Sequence, residues 1–215
     1  MSFDLFVLLG KTDAETQRRW VANLKQSGVE AQFPEGFVIG DESDSDITVQ
    51  CRLLPPLVNE PVDFESHEFN LDFSKLDDES RKELCESTED VTLHQGLNRM
   101  TSELQLYSQA GRSDQALIVQ CFAAACLADA ADGMLLDPQE FGLVNGTQAY
   151  AVAQSHCQYE INQGLKAGQK KTAVEPSDVT EKNIKNQQGS SKEKKGVSVV
   201  LFILLFIALR NLLMN

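Results

Sequence analysis

The chain has 215 residues, a formal net charge of −13 and a mean hydropathy of −0.25. A balance this acidic is repelled by nucleic-acid phosphates and by anionic lipid headgroups, so no nucleic-acid partner is expected. The acidity is uneven: residues 1–166 carry 28 Asp/Glu against 11 Lys/Arg, whereas residues 167–196 carry seven lysines against four acids.

Asp4–Leu9 is a short apolar run and predicts a buried strand. Lys11–Ser27 predicts a helix: Thr12 and Glu15 have capping-box spacing and Gly28 ends it. Val29–Phe33 predicts a second strand, Pro34-Glu35-Gly36 a turn, Phe37–Ile39 a strand fragment and Ile47–Leu53 a further strand. After Pro55-Pro56, Phe69, Leu71 and Phe73 alternate with polar residues, as on a half-buried strand, with Phe64 before them. Asp77–Glu86 predicts a short polar helix, and Val91–Leu93 and Leu104–Tyr107 predict weaker strands.

Asp114–Ala131 is the clearest folded element. Ser113 can cap it, Gly133 can end it, and its sequence leaves almost no polar face, so a buried core helix is expected. Met134–Leu136 predicts a strand, and Asp137-Pro138-Gln139-Glu140 a turn or short helix capped by Asp137. A last helix is expected from a Thr147 cap to about Leu165, with Tyr150, Ala153, Cys157, Ile161 and Leu165 facing inward. These elements predict an α+β fold, a two-layer sandwich of βαβ-like units, of which the ferredoxin-like arrangement is one form. The expected organisation is an acidic domain over 1–166, a flexible basic linker over 167–196 and a membrane anchor over 197–215.

The anchor is argued from length. Val197–Leu209 has thirteen residues and one polar side chain, Ser198. As a helix it would span roughly 20 Å, and extension to Met214 gives roughly 27 Å, near the about 30 Å of a hydrocarbon core. Arg210 lies close to the chain end, where it can snorkel to headgroups. A buried core helix, an interfacial helix and a lipid-anchor signal after Gly189-Ser190-Ser191 are the competing readings. The last needs a secretory signal, and MSFDLFVLLGKTD lacks a basic n-region and a sufficient apolar run. Lys192, Lys194 and Lys195 flank the tail on the side expected to face the cytosol. The arrangement resembles tail-anchored proteins as a topological class, which implies a single-pass membrane protein with its N-terminal domain cytoplasmic, in a bacterial inner membrane or a eukaryotic one. It implies no activity.

Candidate chemistry is sparse. His67, His94 and His156 are the three histidines, and no His-Glu-x-x-His motif joins them. His156 and Glu160 are four apart on a helix and could touch one ion, although such pairs are common on solvated faces. Asp41, Glu42, Asp44 and Asp46 form an acidic loop, but Val49 stands where a calcium loop starting at Asp44 needs glycine. Cys51, Cys85, Cys121, Cys126 and Cys157 form no Cys-x-x-Cys pair, and reduced thiols are expected, with Cys121 and Cys126 as core residues. No phosphate loop or nucleophile elbow occurs. No catalytic, cofactor-binding or metal-ligating set is therefore expected, and no cofactor. The expected function is a membrane-tethered, non-catalytic protein-binding or regulatory module with a protein partner. The alternative is a small hydrolase or transferase at the membrane surface.

Overall fold

A computed structural model describes residues 3–40, 47–61, 64, 67–108 and 113–171. The chain divides into two compact units, Met1–Gly168 and Gln169–Asn215, and the fold below belongs to the first. The elements in order are β1 (Phe3–Leu9), α1 (Ala14–Gln26), β2 (Val29–Gln32), β3 (Ile47–Leu53), β4 (His67–Lys75), α2 (Asp78–Ser87), α3 (Val91–Leu97), β5 (Ser102–Ser108), α4 (Asp114–Ala130), β6 (Met134–Asp137), β7 (Gly142–Asn145) and α5 (Gly146–Lys171).

The fold is α+β, with one seven-stranded sheet in the order β2-β3-β4-β5-β1-β6-β7. Every neighbouring pair is antiparallel. The expected βαβ-like pairing therefore gives way, because β1 takes both its partners from the second half of the chain, Phe3 opposite Ser108 and Phe6 opposite Leu136.

Strand alternation divides the side chains between two faces. One face carries Leu5, Val7 and Leu9 of β1, Val49 and Cys51 of β3, Phe69 and Leu71 of β4, and Leu104 and Leu106 of β5. Trp20 and Leu24 of α1, nearly all of α4, and Ala149, Val152, Ala153 and Cys157 of α5 complete this core. The indole Nε1–H of Trp20 donates to the Ala123 carbonyl at 3.0 Å, so the large ring is buried with its polar atom satisfied. Gln120, the polar residue in the middle of α4, donates to the carbonyls of Phe3 and Leu106 at 2.7 and 2.8 Å and ties the helix to β1 and β5.

The opposite face is covered in part. Phe6, Leu8, Met134 and Leu136 are buried there, with Leu93, Leu97 and Met100 also buried in the α3 region and Gly96 of α3 against the Met134 sulfur. From β2 to β4 that face is polar throughout: Glu30, Gln32, Thr48, Gln50, Arg52, Glu68, Asn70, Asp72 and Ser74. Six of these nine are exposed, so this half of the sheet meets solvent.

Several local expectations are corrected. Asp13, not Thr12, caps α1 through the Thr16 amide, while Thr12 packs against Gly40. Phe37–Ile39 forms no strand because the Gln17 side chain bonds the Phe37 carbonyl and the Ile39 amide. Val91–Leu93 opens helix α3 under an Asp90 cap that accepts from the Thr92 amide. The Asp137–Glu140 segment is a turn, the first of the two forms expected, and the unforeseen β7 then closes a hairpin on β6. Asn145 rather than Thr147 caps α5, accepting from the Gln148 amide at 3.0 Å, and α5 continues past the expected end at Leu165 through Lys171. Among the described residues no helix is long and apolar enough to cross a membrane. The rest of the expected linker, the anchor Val197–Asn215 and the acidic loop Asp41–Asp46 lie outside the described residues.

Candidate functional site

The α4–β6–α5 corner is built by close approach. Gly133 donates its amide to the Ala128 carbonyl at 2.8 Å and accepts from the Gly146 amide at 3.0 Å. A Cβ on Gly133 would collide with the Leu8 carbonyl, and one on Gly146 would stand 2.7 Å from that of Ala128. Glycine at both positions lets β6 and the start of α5 meet the end of α4.

This corner sets Asp137, at the end of β6, beneath α5. Asp137 is fully buried, and its carboxylate accepts from the amides of Gln139, Glu140 and Phe141 at 2.9, 3.3 and 3.3 Å. The fourth donor is His156 of α5, whose Nε2 lies 2.8 Å from Asp137 Oδ2. An ionised carboxylate only accepts, so Nε2 carries the proton and Nδ1 is left toward Glu140, 3.7 Å away. Phe3 and Phe141 meet the imidazole edge-on, each with ring centroids 5.3 Å away. Burial pushes the Asp137 carboxyl up, yet the imidazole and the amides outweigh it and hold the group below the usual carboxylate range. Chemically this is an imidazole oriented by a buried carboxylate. Structurally it fastens α5 to the β6–β7 turn.

A second buried group lies on the other face. Glu103 of β5 stands between Leu8 of β1 and Ser74 of β4, at the border of the covered and open halves. It is 9 % exposed. Burial first, then the charges of Asp72 and Asp77, push its carboxyl up to about 7. No hydrogen bond or ion pair reaches it among the described residues.

The thiols are core groups. Cys51, Cys121, Cys126 and Cys157 are buried and Cys85 is half-buried. Cys126 accepts from the Tyr150 hydroxyl at 3.4 Å and lies 3.4 Å from Ser27 Oγ, and burial raises its thiol to about 11, so it stays protonated near neutrality.

The three histidines are not brought together. His67 begins β4 opposite Cys51 on the core face, His94 of α3 has Nε2 2.9 Å from the Thr88 carbonyl, and His156 meets Asp137. His156 turns to Asp137 and Glu140, and the side chain of Glu160, its expected companion, lies outside the described residues. Among the described residues no three His, Cys, Asp or Glu side chains are arranged to hold a metal.

The sequence singles out Asp137 only as a cap and gives no sign of Glu103. Asp137 is legible as a cap, but its histidine comes from an element nineteen positions on. A signal exists in α5: His156 precedes the inward Cys157, so it flanks the buried stripe. Glu103 sits at a polar position of an alternating strand, and nothing local announces the cover over it. Searches found no matching family model, no matching curated protein and no matching solved structure.

Proposed function

We propose that the chain is a non-catalytic protein-binding or regulatory module, held to a membrane by Val197–Asn215 with its acidic domain on the cytosolic side. The observation that supports it best is the open half of the sheet, where the three strands β2 to β4 present a polar surface with six of its nine side chains exposed. A face of this kind is available to a macromolecular partner. The excess of acid over base in residues 1–166 favours a positively charged one. The apolar tail and the lysines before it support the tether.

The test is fractionation of cells expressing the full chain. It stays with membranes after alkaline carbonate, while a chain ending at Gly196 moves to the supernatant with unchanged circular dichroism. Release of the full chain by carbonate, or labelling of Asn215 from the cytosolic side of sealed vesicles, rejects the tether. The second reading, a small hydrolase or transferase, draws on the Asp137–His156 pair, a histidine oriented by a buried carboxylate. Turnover of a model ester or acyl donor that disappears in His156→Ala, with the fold intact, would favour that reading.

A further inference from the structure

We propose that the recess around Glu103, Asp72 and Asp77 is the docking point for a lysine or arginine side chain of a basic protein partner, with the open half of the sheet as the surrounding contact. The inference rests on the reading of this chain as a binding module and names the kind of partner and where it sits.

The recess is more than a group of acids. Glu103 is nine-tenths buried and yet receives no donor, whereas Asp137, the other buried carboxylate described above, receives four. A buried carboxylate without a partner is unfavourable in the isolated domain, and a cation entering the recess removes that cost.

Beside Glu103, β1 carries Leu8 and β4 carries Ser74 and the exposed Asp72, and the charge of Asp77, which caps α2 through the Ser80 amide, also raises its carboxyl. Among the described residues, the Arg81 guanidinium is held by the Leu76 and Met100 carbonyls and by Asp78. Farther across the open face, Arg52 is paired with Glu30 and lies over the Phe64 ring. Glu68 and Asp72 are exposed on that face.

The occupant follows from the ligand set. No three carboxylates or imidazoles are arranged around a metal among the described residues, which disfavours a divalent ion. A single ammonium or guanidinium needs one recessed carboxylate and a negative surround, and its alkyl stem can cross the rim toward the open sheet. The repulsion that excludes nucleic acid and anionic lipid from this domain leaves a basic protein segment as the matching partner.

Charge on Glu103 is the state that binds, so capture strengthens as the pH rises through its titration near 7. The experiment is calorimetric titration of the full chain, in neutral detergent, with an acetylated eight-residue lysine peptide at pH 6 and pH 8. The expected result is binding at pH 8 that weakens about tenfold in Glu103→Gln, against less than about twofold in Glu35→Gln, which removes an equal charge at an exposed turn. In the wild type the peptide also binds more weakly at pH 6, and that difference shrinks in Glu103→Gln. Carbon-detected NMR of the Glu103 carboxyl should show its titration move to lower pH on adding peptide.

Equal weakening in the two variants would mean unspecific attraction to an acidic domain and would overturn the proposal. So would absence of binding, or an unmoved Glu103 titration. Carbonate extraction is a separate readout, so loss of the recess leaves the tether standing, and loss of the tether leaves the recess.

Discussion

Asp137 and Glu103 are both buried carboxylates on one sheet, yet their chemistry runs in opposite directions. Asp137 ends β6 on the core face, where a turn and an imidazole supply four donors. Glu103 lies on the other face with two acids for neighbours. Desolvation raises both, and hydrogen bonding reverses it in one only. Burial therefore does not fix the charge of a group; the donors that the fold aims at it do.

The largest expected effect comes from removing the better-served partner. Asp137→Ala leaves three turn amides and His156 without their acceptor and should cost about 3–5 kcal/mol in urea denaturation. Asp137 also carries an acid limb. Its pKa is depressed in the fold, so its contribution is present above the unfolded value of 3.8 and is lost as the pH falls below it. A variant as stable as the wild type would make the four bonds ornamental.

Glu103→Gln should act in the other sense. The folded state holds the Glu103 proton more tightly than the unfolded chain, so this group's contribution is full below about pH 4.5 and is lost as the pH rises to about 7. At about 1.4 kcal/mol per pKa unit, the variant gains at most about 3 kcal/mol at pH 8 and little at pH 4. Melting curves across that range check it, and a variant less stable at pH 8 would show that Glu103 has a donor after all.

The two faces should also be independent. Ala124 of α4 is fully buried on the core side, and Ala124→Leu should overpack it at about 1–3 kcal/mol. The pH window of Glu103 should survive unchanged; if it vanishes, the sheet does not insulate its faces. The smallest effect is expected at Asp13, an exposed carboxylate that accepts from the Thr16 amide and hydroxyl. Asp13→Ala should lower the melting temperature less than Asp137→Ala, because water can replace what is lost.

Much of the fold is legible locally. α4 reads as a core helix because Ile118 to Leu127 offers one polar side chain other than cysteine, Gln120, and that residue bonds Phe3 of β1 and Leu106 of β5. β3 and β4 read from alternation. Pairing does not, because β1 meets strands about a hundred residues away and no periodicity encodes a partner. Val91–Leu93 misleads through a β-branched pair in a segment whose Asp90 cap decides the outcome. β7 has four residues, too few for a pattern. The two buried acids are illegible for the same reason as the pairing: each is defined by elements distant in sequence.

The sheet ends at β2 and β7, and each of these edges is four residues long, against seven to nine in β1, β3, β4 and β5. An incoming strand would find only about two ladder hydrogen bonds at such an edge. Growth by strand addition is therefore unfavourable, and copies crowded together have little template on which to polymerise. A partner has no long rail to zip onto, so it must approach broadside, and recognition passes from backbone amides to side chains.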